Sequence, residues 1–185
     1  MTYVARLAVL VGVPLATALA CVSNPKDEGD GGPDSDAWFA MGQGESGWNP
    51  VEDGDALLMV LGGQGLLMFP MPVRAGGFGL PDDPQDWTDP DIPILDIQLD
   101  IPGFNIGFGD HFSRIANYPV PFNVLDDGTY EFIYITIFIP DELVDPCEID
   151  GLPGSFHAEL ETAAGELLTW ERDVIIEVPA ELCES

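Results

Sequence analysis

Positive charge is what this chain has least of. Of its 185 residues only 5 are Lys or Arg and 2 are His, against 33 Asp or Glu, for a formal net charge of −28. Such a field repels nucleic acid and anionic lipid headgroups, and it attracts divalent cations and basic partners. Nucleic-acid binding is therefore excluded as an expectation, and a solvated acidic surface is the plainest use of the charge. Long apolar runs are also missing: the single one, Leu7 to Ala20 (LAVLVGVPLATALA), is interrupted by Pro14 and falls short of the roughly 20 residues needed to span a bilayer. Catalytic signatures are absent too, with no phosphate-cradling glycine loop, no basic aromatic patch and no G-x-S-x-G elbow.

What is present begins at the N terminus. Arg6 supplies a positive n-region, the run after it has the length of a signal-peptide core, and Ala18 and Ala20 are the small residues that a signal peptidase reads. Cys21 follows directly. The stretch Ala18-Leu19-Ala20-Cys21 resembles the lipobox of bacterial lipoproteins, with Ala18 and Leu19 standing where that pattern usually has Leu and a small residue. The resemblance implies that Cys21 is acylated and becomes the mature N terminus, anchored through lipid worth about 0.8 kcal/mol per buried CH₂. Val22 in place of Asp then points to the outer membrane. The alternative, cleavage after Ala18-x-Ala20 by an ordinary signal peptidase, releases a soluble exported domain with a free Cys21.

Between Ser23 and Asp36 (SNPKDEGDGGPDSD) there is no aliphatic or aromatic residue, so this stretch cannot bury enough surface to fold. A flexible segment from Val22 to Asp36 reaches about 20 Å. The expected organisation is a signal peptide over residues 1–20, a lipidated Cys21 and acidic tether over 21–36, and one domain over 37–185. Removing Arg6 with the signal leaves four basic residues against 33 acidic ones, or −29 (4 − 33). Two cysteines remain, Cys147 and Cys183, and an even count in an exported chain fits one disulfide. Two unpaired thiols are the alternative, as is a zinc site with His111 and His157.

Alternation dominates the domain. Leu95, Ile97, Leu99 and Ile101 alternate with Asp96, Gln98 and Asp100, which predicts a strand with one wet side. Ala56–Leu61 and Leu66–Val73 flank Gly62-Gly63-Gln64-Gly65 as strand, turn and strand, with Pro70 and Pro72 suggesting a sheet edge. Leu125-Asp126-Asp127-Gly128 signals a hairpin leading into Thr129–Ile139, which reads as a central strand. The last hairpin pairs Phe156–Thr162 with Leu167–Val178 and puts Trp170, Val174, Ile176 and Val178 on one face; Arg172 interrupts it, which predicts a bulge or a buried ion pair. About seven to nine strands with turns between them predict an all-β, antiparallel β-sandwich, with a barrel as the other arrangement.

Asp126-x-Gly128-x-Tyr130-x-Phe132 resembles the tyrosine-corner stretch of immunoglobulin domains, and the C-terminal hairpin is similar to the last two strands of a fibronectin-type sandwich. More widely, Met41-Gly42-x-Gly44-Glu45, Pro50-Val51-Glu52-Asp53-Gly54-Asp55 and Gly62-Gly63-Gln64-Gly65 resemble uncharacterised acidic bacterial lipoproteins with an immunoglobulin-like domain. That resemblance implies a fold and a place in the cell envelope, and it implies no activity.

Candidate chemistry is thin. Asp82, Asp83, Asp86, Asp89 and Asp91 crowd one Pro-rich loop, and hard cations such as Ca²⁺ take six to eight oxygens from such clusters; Ca²⁺ is the one cofactor suggested. Asp141, Glu142, Asp145, Glu148 and Asp150 form a second acidic cluster around Cys147. Ser155 and His157 share a strand face, but a serine nucleophile needs an adjacent base and a strained elbow. Asp110-His111 lies near Arg114 in a Gly-rich loop. Trp38, Phe39, Trp48, Phe69, Phe78, Trp87, Phe104, Phe108, Phe112 and Tyr118 include several loop aromatics, suited to covering the ends of a sandwich or to a protein or carbohydrate platform. The leading expectation is a lipid-anchored, non-enzymatic surface, adhesion or accessory-binding module. An envelope hydrolase using carboxylates and a Ca²⁺-dependent structural protein are the alternatives.

Overall fold

Alternating sequence yields strands wherever the structure, a computed structural model, describes the chain, which is over residues 36–183. In chain order these are β1 (Trp38–Gln43), β2 (Asn49–Pro50), β3 (Asp55–Leu58), β4 (Val60–Leu61), β5 (Leu67–Pro70), β6 (Val73–Gly76) and β7 (Ile94–Asp100). There follow β8 (Ser113–Pro119), β9 (Asn123–Val124), β10 (Tyr130–Phe132), β11 (Thr136–Phe138), β12 (Pro153–Glu161) and β13 (Leu167–Glu177), then a single helical turn, α1 (Ala180–Cys183). Sheet I has the order β2-β1-β6-β10-β9, sheet II β11-β5-β4 and sheet III β3-β13-β12-β7-β8. Every pairing is antiparallel except β3 with β13. The expected leader, Cys21 and nearly all of the tether lie outside the described residues.

The inner faces meet in one hydrophobic cluster. Phe39, Met41, Val73, Ala75 and Phe132 enter it from sheet I, and Leu95, Ile97, Leu99, Phe156, Ala158, Leu160, Trp170, Val174 and Ile176 from sheet III. The period of two read from β7 is realised: Leu95, Ile97 and Leu99 are buried while Asp96, Gln98 and Asp100 are half-exposed. Burying side chains of this size stabilises by about 1.5–3 kcal/mol each relative to exposure.

Among the described residues thirteen strands replace the expected seven to nine, in part because three apolar runs that read as continuous are divided between sheets and in part because short strands such as β2 form as well. The run 56–61 leaves sheet III after Leu58 and joins sheet II at Val60, with the side chain of Met59 fully buried between them. The run 66–73 divides at Met71-Pro72, because Pro72 has no N–H to continue the ladder. Consequently β5 is the middle strand of sheet II and not an edge. Thr129–Ile139 is not one central strand either: Phe132 and Ile135 are both buried, a spacing of three that breaks the alternation, so β10 stays in sheet I and β11 moves to sheet II. Tyr134, inside that break, is 71% exposed.

Both predicted hairpins form. Leu125 N–H donates to Thr129 O and Gly128 N–H to Leu125 O, with Gly128 at φ 83°, a backbone conformation that favours glycine. The β12–β13 register runs from Pro153↔Ile175 to Glu161↔Leu167 without a bulge. At Arg172, therefore, the predicted bulge does not form, and its guanidinium stands 5.3 Å over the Trp170 ring. A bulge does occur in β8, between the pairs Leu95↔Tyr118 and Ile97↔Ile115, where Asn117 takes φ 54° and Asp96 accepts its N–H at 2.6 Å. Cys147 and Cys183 form a disulfide across 36 residues, fastening α1 to the 3₁₀ turn Pro146–Ile149. No helix among the described residues is long and apolar enough to cross a membrane.

Candidate functional site

Sheet III turns its second face to solvent, and the pleat determines what stands there. Opposite in phase to Phe156 and Ala158, Ser155 and His157 project outward; opposite in phase to Trp170 and Val174, so do Glu171 and Asp173. The register aligns them in rows. Ser155 stands between Asp100 of β7 and Asp173 of β13, and His157 stands between Gln98 and Glu171. Asp53, distant by 120 residues, arrives from the loop before β3 to accept the N–H of Asp173 at 3.0 Å. Asp53, Asp100, Ser155, His157, Glu171 and Asp173, together with Arg172, border an open groove of about 400 Å³.

The polar groups of the groove bond to one another. His157 Nδ1 lies 2.8 Å from Glu171 Oε1, and its Nε2 lies 3.5 Å from Glu159 Oε1. His111 reaches over from the loop before β8 to place Nδ1 2.9 Å from Asp100 Oδ1. Ser155 and His157 do share a face, as the strand period requires. Their spacing along β12, about 7 Å at ~3.3 Å per residue, exceeds hydrogen-bond reach, and both ring nitrogens of His157 face carboxylates instead. His157 is thus not placed as a base for Ser155, whose cross-strand neighbours are the carboxylates Asp100 and Asp173, and His111 serves Asp100 and not its neighbour Asp110. The groove can hold a cationic or hydrogen-bonding group at an open acidic surface, and its described residues show no serine–histidine contact of the kind used in acyl transfer.

Neither acidic loop converges on a point. Asp83 Oδ1 accepts the N–H of Gln85, Asp86 Oδ1 that of Thr88, and Asp89 Oδ1 that of Asp91. Three of the five carboxylates therefore close their own turns, and the loop aspartates Asp82, Asp83, Asp86, Asp89 and Asp91 are not gathered as a metal-holding group among the described residues. The Thr88 hydroxyl, and then its N–H, hold the Asp86 carboxyl below its usual range; the Thr129 hydroxyl and N–H do the same to Asp127. In the second cluster Asp145 caps Cys147 N–H and Asp150 accepts Val178 N–H at 2.9 Å. Among the described residues no group of three or more His, Cys, Asp or Glu side chains is placed to hold a metal ion, and the cysteines proposed for zinc are joined to each other.

The loop aromatics divide. Phe39, Phe69 and Phe112 are core residues, Phe78 packs edge-on against Tyr130 and Phe122, and Trp87 does so against Tyr118. Burial pushes the Tyr118 hydroxyl above its usual pKa. The Tyr130 hydroxyl donates to Phe78 O at 2.5 Å, a carbonyl 52 residues away, where a tyrosine corner bonds a carbonyl a few residues upstream. Glu171 and Asp173 were readable from the β13 alternation as outward-facing partners of His157 and Ser155; Asp53 had no local signal. No family model, curated protein or solved structure matches this chain.

Proposed function

We propose that the chain is an exported, lipid-anchored immunoglobulin-like β-sandwich that acts at the cell envelope as a non-enzymatic surface or accessory-binding module. The observation that carries the binding half is the outer face of sheet III. At this shallow, open groove His157 is bonded to Glu171 and Asp100 to His111, so neither histidine is paired with Ser155. A binding surface needs such satisfied, pre-positioned groups, whereas a hydrolase needs a poised and enclosed one. The sandwich assignment is supported by two five-stranded sheets that share one core and by the antiparallel C-terminal hairpin. The anchor is supported by Cys21 directly after Ala18-Leu19-Ala20, and the field of the domain suits a basic envelope protein as partner in the groove.

Two measurements test the reading. Intact mass of the mature chain from its own membranes is expected to show Cys21 at the N terminus with acyl chains attached; an unmodified Cys21 removes the anchor. Incubation with a fluorophosphonate probe is expected to leave Ser155 unlabelled, and labelling there would establish a hydrolase instead.

A further inference from the structure

The outward face of sheet I carries a row of side chains unrelated to the groove. Trp38 lies across its cross-strand partner Gly76 so closely that a Cβ on that glycine would stand 2.9 Å from Trp38 Nε1 and 3.3 Å from Cε2. Further along β1, Trp48 lies against Gly42, where an added Cβ would fall 2.6 Å from Trp48 Cδ1 and 2.7 Å from Nε1. Between the two seats, Ala40 pairs with Arg74 and Arg74 with Glu131. Arg74 Nε donates to Glu131 Oε2 at 2.7 Å, and the guanidinium carbon stands 4.8 Å from the Trp48 ring centroid. From Trp38 to Gly42 the strand advances about 13 Å at ~3.3 Å per residue.

We propose that this face is a binding platform for a neutral oligosaccharide. An indole offers the flat apolar surface that the C–H face of a pyranose ring covers, and a guanidinium–carboxylate pair offers donors and acceptors to its hydroxyls. The three small residues Gly76, Ala40 and Gly42 keep the floor level, so an extended ligand meets the Trp38 ring and then the ion pair, which Trp48 holds from the other side, in one pass. Trp38 is 41% exposed at this outward position. Trp48 Nε1 is buried with no acceptor among the described residues, so a hydrogen bond is not what keeps the indole there. Charge selects the ligand class: Glu131 offsets Arg74, and a chain of net charge −28 repels uronic or phosphorylated glycans.

The test is titration of the full chain with neutral hexaoses, namely cellohexaose, xylohexaose, maltohexaose and chitohexaose, followed by calorimetry and by the indole N–H signals in NMR spectra. At least one is expected to bind and to shift the Trp38 indole signal while that of Trp87, on a different part of the surface, stays in place. Trp38→Ala is expected to weaken that binding by roughly tenfold or more, and Trp87→Ala to leave it unchanged. No binding by any of the four, or binding that leaves the Trp38 signal and the affinity of Trp38→Ala unaltered, overturns the proposal. The indole shifts are read on the unsubstituted protein, so the test survives a variant that fails to fold. An acylated Cys21 and an unlabelled Ser155 bear on the module reading and are independent of this outcome.

Discussion

Gln43 stands in for a strand beside Ala56. Its carboxamide Nε2 donates to Ala56 O at 2.9 Å and its Oε1 accepts from Leu58 N–H at 3.3 Å, so one side chain satisfies two backbone groups on the free edge of β3. Gln43 itself ends β1, and the contact ties sheet I to sheet III while blunting an edge that would otherwise invite another chain. Gln43→Glu keeps the acceptor and loses the donor, facing a carboxylate toward the Ala56 carbonyl. It is expected to cost about 1–3 kcal/mol in urea unfolding, and Gln43→Ala is expected to leave the Ala56–Leu58 edge more open in hydrogen exchange.

The disulfide is the second tie between distant segments. With Cys147 and Cys183 separated by 36 residues, chain-entropy reasoning assigns it about 4 kcal/mol. Reduction, or Cys147→Ser with Cys183→Ser, is expected to lower the urea midpoint accordingly. An unchanged midpoint would mean that α1 already adheres without the bond.

Under the tryptophans, sterics give an asymmetric expectation. Gly42→Ala drives a methyl group to within 2.6 Å of Asn49 O and of Trp48 Cδ1; one of these neighbours is backbone, so the loss is expected to reach about 1–3 kcal/mol. Trp48→Phe keeps an aromatic ring for Arg74 and removes a buried donor without a partner, so thermal unfolding is expected to show it neutral or stabilised.

Acid should reach the two turn aspartates late. Asp86 and Asp127 have folded pKa values below their ordinary value of 3.8, through the hydroxyls of Thr88 and Thr129. A depressed folded pKa contributes stability that is present above the unfolded pKa and is lost as pH falls through the folded one. NMR titration is expected to place both carboxylates below 3.8, and Thr88→Ala to return Asp86 toward that value. Tyr118 has the opposite linkage: its neutral form is favoured by burial, so its contribution weakens as pH rises past its ordinary value of 10.0.

Salt should stabilise the whole domain. The mutual repulsion implied by a net charge of −28 is screened as the Debye length falls from about 10 Å at 0.1 M to 3 Å at 1 M. The melting temperature is expected to rise between low and near-molar NaCl, and a constant value would mean that repulsion among the acids does not limit stability.

Sequence by itself determined the class of structure and the chemistry of its surface. Strand alternation is a local property, because successive side chains point to opposite faces whatever the strand pairs with. The wet side of β7, the hairpin at Gly128 and the β12–β13 pair were legible for that reason, as was an acidic exterior. Tertiary structure decided what local pattern cannot carry. It divided the runs at Met59, Pro72 and residues 133–135 among three sheets, because a continuous apolar run is equally compatible with one strand or with a chain crossing between layers. It also decided which outward residues meet. Asp53 joins Asp173 across 120 residues, His111 turns to Asp100 and Trp38 covers Gly76, contacts set by register and sheet order rather than by spacing in the chain. Of the clustered aspartates that looked most like a cation site, Asp83, Asp86 and Asp89 were claimed by their own turns, since a neighbouring N–H is closer to a carboxylate than any shared centre.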